Sequence, residues 1–524
     1  MADTTFSDAQ SPAAERIDPR RLVAFLAMVF GMFMAILDIQ IVSASLSEIQ
    51  AGLSAGADEI SWVQTSYLIA EVIMIPLSGT LARILSTRIL FTLSAAGFTA
   101  ASMMAATSTN IDQMIVYRAI QGFIGGGMIP SVFAAAYTIF PRSKQAVVAP
   151  IIGLVATMAP TIGPTVGGYL SSYFSWHWLF LINVGPGIVV AALAWLLIDF
   201  DEPEFDLARS FDWVGFAAMA VFLGSLEYVL EEGPQNDWLA DETILTFSIV
   251  MVVGALVFFY RAFTASFPVV DLTAFGNINF AFGSVFSFVM GIGLYGLVYL
   301  YPLYLARIRG YDSLMIGETV FVTGIAMFVC APVSGALSHR VDPRKMLLFG
   351  FIGFALSTWM LTGIDADWDY WELFLPQIIR GASLMFCMVT ITNLALGTLP
   401  LDRLKNASGL FNLTRNLGGA VGLAGITTML SDRSDLHYAR IAETVTAGNR
   451  TATELLDGLA RTFDASGIPG GDAALSQLAG MVKQQAWVMS FADVSWVLTA
   501  LFAGLALGAL LMKKPQGDGA PAGH

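Results

Sequence analysis

Long apolar stretches separated by short polar segments run through almost the whole chain. A helix needs about 20 mainly apolar residues to cross the hydrocarbon core of a membrane, and fourteen stretches approach or reach that length. We predict membrane spans at 22–43, 60–81, 89–108, 112–136, 146–170, 179–199, 213–230, 243–262, 280–304, 314–337, 345–363, 372–397, 407–430 and 491–512. The pattern therefore predicts an all-α polytopic membrane protein with fourteen transmembrane helices.

The polar residues that follow the spans repeat about 260 residues later in the chain. A loop motif after the second span has a later copy, and its glycines and basic residues are Gly79, Arg83, Gly335, Arg340 and Arg344. A motif in the fourth span also recurs, with Arg118 and Gln121 in the first copy and Arg380 in the second. Parallel six-helix halves are the plan of secondary transporters whose substrate site lies between the halves. The repeat predicts a carrier, with the loop motifs at its cytoplasmic gate.

The repeat stays in register only if spans 1–6 and 9–14 are the halves, so spans 7 and 8 form an inserted hairpin. The predicted regions are a cytoplasmic tail (1–21), an N-terminal half (22–199), the hairpin (200–265), a C-terminal half (266–512) and a second cytoplasmic tail (513–524). The C-terminal half contains the longest predicted loop, 431–490. That loop has helix-like stretches at Thr453–Phe463 and Ala473–Trp487, separated by the breaker Gly467–Gly471.

The composition supports a membrane protein. Hydrophobic residues make up 56% of the 524 residues and charged residues only 13%, whereas soluble domains carry roughly 25% charge. The mean hydropathy is +0.69. The net charge of −14 lies mostly in loops and does not indicate a basic ligand, and we expect no nucleic-acid partner. Residues 1–19 show no cleavable signal, so the first span should act as an uncleaved anchor.

The distribution of Lys and Arg predicts the orientation. Placing the N-terminus in the cytoplasm puts sixteen of the 26 basic residues on that side and seven outside. Five of those seven lie in the 431–490 loop, which topology rules discount because of its length. Both termini should therefore be cytoplasmic and the long loop periplasmic. The loop 199–206 is acidic although it is assigned to the inside, but acidic residues carry little weight in this rule.

Several kinds of chemistry are disfavoured. The two cysteines, Cys330 and Cys387, lie in apolar runs, and the four histidines are scattered among loops and the tail, so neither a disulfide framework nor a metal site is expected. The glycines 125–127 lack the following Lys-Ser/Thr of a phosphate loop. No nucleophile and base can be assembled for an acyl- or glycosyltransferase. We expect a non-enzyme without a cofactor, driven by the proton gradient.

Three ionisable residues inside predicted spans are the main site candidates: Asp38, Glu71 and Arg118. A charge at such depth costs roughly 2.5–3.5 kcal/mol on insertion scales and indicates a function with a partner. A buried carboxylate tends to be protonated unless it is paired or hydrated, which suits a coupling proton or a cationic substrate. Glu71 is the stronger candidate because it lies midway along its span. Asp38 could instead serve helix packing, and Arg118 could be a structural pin.

Other candidates are secondary. Gln121 accompanies Arg118, Arg380 is its later counterpart, and Arg415 lies near the start of span 13. Glu227 lies nearer the outer end of span 7, and we expect its side chain to snorkel towards the membrane surface.

Span 5 is unusually rich in helix-perturbing residues. It contains Pro160, Gly163, Pro164, Gly167 and Gly168. Proline removes a backbone donor and kinks a helix, and glycine lets a neighbouring backbone approach closely. We predict a hinge or seal at this segment, with ordinary tight packing as the alternative.

Taken together, these motifs resemble those of the fourteen-span drug:proton antiporters of the major facilitator superfamily, the EmrB-type exporters in particular. The resemblance covers nearly the whole chain, and the matching motifs lie at 37–42, 117–122, 163–168, 175–184, 268–272 and 412–419. The motif 163–168 followed by Ser175–Val184 is the most specific stretch. The loop after span 2 departs from the superfamily pattern, with Arg83 where an acidic residue is common and Ser86 where glycine is usual. This puts the charge relay of that gate in doubt.

The resemblance implies proton-driven multidrug export of hydrophobic or amphiphilic compounds, and hence drug resistance. It also implies a multi-pass protein of the bacterial inner membrane that works with a periplasmic adaptor (a membrane fusion protein) and an outer-membrane channel as a tripartite pump. The main alternative is a proton-coupled carrier for a specific metabolite or siderophore. A membrane-embedded enzyme and a non-transporting scaffold or sensor are further classes, but neither explains buried acids in a repeated fold.

Overall fold

The structure is a computed structural model, and it describes residues 18–56, 59–140, 142–338, 340–400, 403–446 and 448–511. The described elements are all helical. Most of the two predicted tails, together with His339, lies outside the described residues.

The described part of the first half contains nine α-helices. They are α1 (Pro19–Ser43), α2 (Leu46–Leu53), α3 (Trp62–Leu85), α4 (Thr87–Ala106), α5 (Ile111–Gly125), α6 (Met128–Ile139), α7 (Arg142–Tyr173), α8 (Trp178–Leu181) and α9 (Val184–Leu197). A 3-10 turn at Phe205–Ser210 leads into the hairpin of α10 (Trp213–Glu232) and α11 (Glu242–Thr264). Two further 3-10 turns, Gly233–Gln235 and Trp238–Ala240, connect these two helices.

Seven α-helices lie in the later half as far as the structure describes it. They are α12 (Ile278–Arg307), α13 (Ser313–Ser338), α14 (Pro343–Met360), α15 (Tyr370–Leu396), α16 (Leu404–Thr444), α17 (Arg450–Ala465) and α18 (Gly470–Leu511). Short 3-10 turns precede α12 at Leu272–Gly276 and follow α14 at Leu361–Gly363. We call the end of the bundle where α1 begins the near face, and the end where α1 finishes the far face.

Side-chain caps explain where several helices begin. The carboxylate of Asp18 accepts from the N–H of Arg20 at the start of α1, and Asn110 accepts from the N–H of Gln113 at the start of α5. Asp369 and Glu372 form a capping box at the start of α15. Such caps satisfy backbone donors that the first turn of a helix leaves free.

Thirteen described helical segments are long and apolar enough to cross a membrane. The α5–α6 pair counts as one span, as does α8–α9. The predicted span that is not among these segments is the thirteenth, 407–430, which lies in α16. This helix is 41 residues long but carries Lys405, Arg415 and many small or polar residues. It nevertheless packs along α12 and α3 inside the bundle. The prediction of an all-α polytopic membrane protein is confirmed.

Closely packed glycines bring helices together in matching places of the two halves. A Cβ atom on Gly122 of α5 would lie 2.3 Å from the carbonyl oxygen of Tyr67 on α3. A Cβ on Gly381 of α15 would lie 2.6 Å from the carbonyl oxygen of Thr323 on α13. Both distances are too short for a side chain, so the repeated glycine of the fourth-span motif sets the helix spacing in each half.

The long predicted loop at 431–490 is mostly helix, which corrects the sequence interpretation. Helix α16 continues to Thr444 and α18 already begins at Gly470. The stretch Thr453–Phe463 does lie in a separate helix, α17, but Ala473–Trp487 is the first part of α18. Charged residues mark where a membrane span should end, whereas a helix ends only where its backbone geometry changes. The backbone geometry changes at the breaker that follows α17, because Gly467 has a left-handed backbone with φ +79°.

Candidate functional site

A buried ion pair lies at the centre of the first half. Arg118 on α5 donates from Nη1 to Oδ2 of Asp38 on α1 over 2.6 Å, and both side chains have an exposed fraction of 0%. The same guanidinium donates to Oε1 of Gln121 over 2.8 Å and to the carbonyl oxygen of Val63 over 3.1 Å. The sequence predicted a partner for Arg118, and the structure identifies it as Asp38.

The other carboxylate oxygen of Asp38 is also fully used. Its Oδ1 accepts from Nδ2 of Asn183 over 2.6 Å and from Nε2 of Gln121 over 3.1 Å. Both amides also donate to Ser102. Asn183 was not singled out as a site residue, although it belongs to the specific 175–184 motif. An amide buried at the start of α9 has little signal of its own in the sequence, since its partner lies on a distant helix.

Aromatic rings cover the remaining faces of the guanidinium. The ring centroid of Tyr67 lies 4.2 Å from Cζ of Arg118, and that of Phe180 lies 5.8 Å away. These distances suit cation–π contacts. The ion pair is thus enclosed by hydrogen bonds and aromatic rings, although Nη2 of Arg118 has no hydrogen-bond partner among the described residues.

Glu71 is buried one helical turn beyond Tyr67 on α3, but it is not part of this cluster. Its exposed fraction is 3%, and its Oε1 atom has no hydrogen-bond partner among the described residues. Arg118 and Arg415 are the nearby cations that act on it electrostatically, and Asp38 is the nearby anion. The structure therefore pairs Arg118 with Asp38 and leaves Glu71 unpaired.

Glu71 lines a cavity of about 490 Å³ between the two halves. The first half contributes α1, α3 and α7, and the later half contributes α12, α13 and α16. The polar residues and prolines of its wall are Gln40, Ser43, Gln64, Glu71, Pro164, Glu227, Glu231, Tyr295, Tyr299, Pro302 and Asn416. Most of them lie in the half of their helices that points to the far face.

Glu227 of the inserted hairpin corrects a sequence prediction. We expected its side chain to snorkel to the membrane surface, but its exposed fraction is 6% and it lines the central cavity. Helix α10 packs against α3, where Trp62 and Tyr228 stack with ring centroids 5.5 Å apart. This contact turns Glu227 inward, so the hairpin contributes to the cavity wall.

The proline- and glycine-rich segment lies within one continuous helix, α7, between the two halves. A Cβ on Gly163 would lie 2.3 Å from Cβ of Gln40 on α1, and one on Gly167 would lie 2.7 Å from the carbonyl oxygen of Ile41. On its other side α7 packs against α13 of the later half. Pro160 and Gly168 are buried in the same helix, and Pro164 lines the cavity. The role of this segment as a hinge or seal stays a prediction.

At the near face the two halves are in direct contact through α3 and α16. A Cβ on Gly79 would lie 2.8 Å from Cα of Asn406. Beside it, Nζ of Lys405 donates to Oδ2 of Asp201 over 2.6 Å and to the carbonyl oxygen of Ala82 over 3.1 Å. The same Oδ2 accepts from the N–H and hydroxyl of Thr87 over 2.8 and 2.7 Å.

This ion pair was not predicted, but the acidic loop 199–206 contained its signal. That loop places acidic residues among the basic residues of the near face. Its Asp201 supplies a carboxylate beside the first loop motif, in which Arg83 stands where an acidic residue is common in the superfamily. Arg83 itself lies over the ring of Phe267, with Cζ 5.3 Å from the centroid.

The residues of the later copy of the loop motif differ in their exposure. Gly335 is buried, Arg340 is exposed and Arg344 is half-buried. The Nε atom of Arg344 has no hydrogen-bond partner among the described residues.

The two later arginines are buried without a carboxylate. Arg380 donates from Nη1 to the carbonyl oxygen of Leu297 over 3.4 Å and lies over the ring of Tyr301 at 5.1 Å. Arg415 donates to Oδ1 of Asn412 over 2.7 Å and lies 5.5 Å from the ring of Phe133. In the part of the chain that the structure describes, neither forms an ion pair.

Comparison with known proteins identifies the family. The model of the Major Facilitator Superfamily matches residues 28–423. The chain belongs to this superfamily. Within it, the chain is 43% identical to the "Colistin resistance protein EmrB" of Acinetobacter baumannii over 91% of this chain and 93% of that protein. It is 28% identical to the "Multidrug export protein EmrB" of Escherichia coli K12, over 94% and 95% of the two chains. The resemblance to EmrB-type exporters is confirmed, and the protein is a transporter rather than an enzyme.

Solved structures agree with the fold. The human organic anion transporter MFSD10 (TETRAN) is similar with a TM-score of 0.55 and 12% identity, over 93% of this chain and 100% of that one. A bacterial homologue of the human lysosomal transporter Spinster, in an inward-facing conformation, is similar with a TM-score of 0.53 and 12% identity, over 94% and 98%. At this identity the similarity concerns the fold alone.

Proposed function

We propose that this EmrB-type transporter exports hydrophobic or amphiphilic compounds from the cytoplasm or inner leaflet across a bacterial inner membrane in exchange for protons. Relatives named for multidrug export, colistin resistance and fatty acid resistance support drug export. They do not favour the alternative of a carrier for one metabolite or siderophore. No resident cofactor is required for this function.

The surroundings of Glu71 are the observation that supports proton coupling. Its carboxylate lies in the cavity between the halves with Oε1 unpartnered among the described residues. An ionised carboxylate without water or a cation is costly in such a place, so a bound proton or cationic group is favoured. If a proton and a substrate compete for the same carboxylate, each lowers the affinity for the other. That competition is the requirement for antiport.

Asp38 and Arg118 would assist this exchange. Protonation of Asp38 would weaken its 2.6 Å bond to Arg118, because a neutral carboxyl group attracts a guanidinium less than a carboxylate does. The released cation would then act more strongly on Glu71, which lies one turn beyond Tyr67. Protonation of Asp38 would thus act through Arg118 on Glu71, and so connect the enclosed cluster to the cavity.

The closed near face suggests which state the structure represents. The Lys405–Asp201 pair and the Gly79 contact join the halves there, while the cavity lies towards the far face. With both termini in the cytoplasm, as the basic residues predict, this is an outward-facing state. Opening towards the cytoplasm would require Lys405 to leave Asp201 and Ala82.

We further propose a tripartite assembly with a periplasmic adaptor and an outer-membrane channel. Helices α16 and α18 continue past the predicted membrane boundary and are joined through α17. None of the residues of α17 is buried. Replacing residues 445–469 with a short linker should abolish resistance in intact cells while leaving dye transport in vesicles intact. Unchanged resistance would contradict adaptor docking by this segment.

The coupling proposal is tested with Glu71→Gln in everted membrane vesicles. We expect substrate binding to persist and dye transport driven by a pH gradient to be lost, because a glutamine side chain cannot take up and release the coupling proton. The matched control is Glu48→Gln, a carboxylate on α2 that does not line the cavity. Wild-type transport of both neutral and cationic dyes by Glu71→Gln would show that Glu71 is not the coupling acid.

A further inference from the structure

The inserted hairpin places two carboxylates in the wall of the central cavity. Glu227 and Glu231 are four residues apart on α10, a spacing that puts them on the same helix face, and both line the cavity with Glu71. Glu227 is buried, with an exposed fraction of 6%. No hydrogen bond or ion pair to either side chain exists among the described residues. Glu71 on the facing helix also has no hydrogen-bond partner at Oε1.

The charges around this face do not balance. The groups that act electrostatically on Glu227 are the carboxylates of Glu231 and Glu71, and no described cation is among them. Like charges gathered in a cavity with little water are unfavourable unless something positive joins them. The two arginines near Glu71 are not among the groups that act on Glu227: Arg118 is held by Asp38, and Arg415 donates to Asn412. The imbalance is relieved by a bound proton or by a cationic group from outside the described chain.

The rest of the wall suits an organic cation. Tyr295 and Tyr299 of α12 supply aromatic rings, and the apolar side chains Ile39, Leu68, Val72, Val298 and Leu303 complete the surface. Aromatic faces attract organic cations, and a mainly apolar wall holds the body of a hydrophobic ligand. A volume of about 490 Å³ lies within the range of pockets that bind drug-sized molecules, roughly 300–1,000 Å³.

We propose that Glu227 and Glu231 form a subsite that binds the cationic group of hydrophobic organic cations, with Tyr295 and Tyr299 against the apolar body. The inserted hairpin is then part of the substrate site and not only a spacer between the halves. This proposal rests on the proposed export function but concerns binding alone. Glu71 remains available for proton exchange beside the bound cation.

The test measures binding to the purified full-length protein without a proton gradient, so it is independent of coupling. The probes are tetraphenylphosphonium, a permanent cation, and triphenylphosphine oxide, a neutral molecule with the same aryl groups. We expect Glu227→Gln to bind tetraphenylphosphonium about tenfold more weakly, the equivalent of about 1.4 kcal/mol. Binding of triphenylphosphine oxide should be unchanged. Glu231→Gln should show the same selectivity with a smaller loss, because this side chain is less buried.

Glu232→Gln is the matched control. Glu232 directly follows Glu231 but accepts a hydrogen bond from Oγ1 of Thr65 over 3.3 Å and does not line the cavity. Its substitution should leave the affinity for both probes unchanged. Equal loss of both probes in Glu227→Gln and Glu231→Gln, or unchanged binding of the cation, would overturn the subsite. Failure of Glu71→Gln to impair efflux would overturn the coupling proposal while leaving this result intact.

Discussion

Two arginines of the repeated fourth-span motif, Arg118 and Arg380, lie in different places and in different surroundings. When the packed glycines Gly122 and Gly381 are aligned, Gln377 takes the place of Arg118, because it donates to the carbonyl oxygen of Thr319 on α13 as Arg118 donates to that of Val63 on α3. This corrects the prediction that Arg380 is the counterpart of Arg118. Arg118 meets a carboxylate, an amide and a backbone carbonyl. Among the described residues, Arg380 meets the carbonyl oxygen of Leu297, over 3.4 Å, and the ring of Tyr301, but no carboxylate. Helix α12, which corresponds to α1, offers no counterpart of Asp38 at this contact. The described part of the later half therefore has no counterpart of the ion pair between Arg118 and Asp38.

The same asymmetry holds for the cavity. Relative to the glycine of the loop motif, the position of Glu71 in the first half is taken by Met327 in the second. Among the described lining residues, the later half contributes no charged side chain, and the acids come from α3 and α10. A shared backbone plan therefore does not imply shared chemistry. In this chain, the residues suited to protons and cations are concentrated in the first half and the hairpin.

The largest expected effect comes from breaking the ion pair. Arg118→Ala leaves Asp38 buried without its cation, which should destabilise the protein by about 3–5 kcal/mol and abolish efflux. Arg380→Ala removes a buried cation that has no anion, so its thermal stability in detergent should stay the same or rise. Thermal unfolding and dye efflux of the two variants measure this difference.

The control for that comparison is the double variant Asp38→Asn, Arg118→Ala. Removing both charges should restore part of the stability, since replacing a whole buried pair costs less than breaking it. Equal destabilisation by Arg118→Ala and Arg380→Ala would contradict the asymmetry of the halves.

A smaller and symmetric effect is expected where the repeat has kept its packing. Gly122→Ala and Gly381→Ala each place a Cβ against a backbone carbonyl, at 2.3 and 2.6 Å in the unrelaxed structure. Overpacking of this kind costs about 1–3 kcal/mol, so both should lower the unfolding temperature by similar amounts. Gly504→Ala, at a glycine with open space around it, is the control and should have no such cost. A loss confined to one half would show that the helix spacing is not equivalent.

The smallest effect is expected from an ion pair with similar geometry nearer the surface. Arg261 and Asp212 join the near ends of α11 and α10 over 2.7 Å, compared with 2.6 Å for Arg118 and Asp38. The Arg261 side chain has an exposed fraction of 35%, and ion pairs that water can reach contribute little. Asp212→Asn should therefore lower the unfolding temperature several-fold less than Arg118→Ala.

The pH dependence of Asp212 sharpens this prediction. Burial alone raises the pKa of Asp212, but hydrogen bonds from Arg261 and from the backbone of Gly215 and Val214 outweigh it and lower the pKa below its ordinary value. A lowered pKa stabilises the folded state above the pKa of the unfolded chain, and that contribution disappears as the pH falls through the folded pKa. The difference in unfolding temperature between wild type and Asp212→Asn should thus be full at neutral pH and shrink below about pH 4. A difference that grows on acidification would contradict this sign.

The sequence by itself determined the membrane character, the internal repeat and the residues worth attention. Each follows from a local property: apolar length predicts a span, and a charge such as Arg118 within a span requires a partner. The motifs also sufficed for the family, because residues such as Gly122 and Gly167 are needed wherever these helices pack closely. The roles of these residues in transport stay predictions.

Only the tertiary structure decided which groups meet. The sequence predicted a partner for Arg118 without identifying it, and the helix packing places Asp38 within hydrogen-bond distance. The packing of α10 on α3 turned Glu227 into the cavity, and the contact between α3 and α16 brought Lys405 to Asp201. These pairings join residues up to 204 positions apart in the chain. Hydropathy reports how each segment meets lipid or water, but a distance between two side chains depends on how separate helices pack, which no local pattern contains.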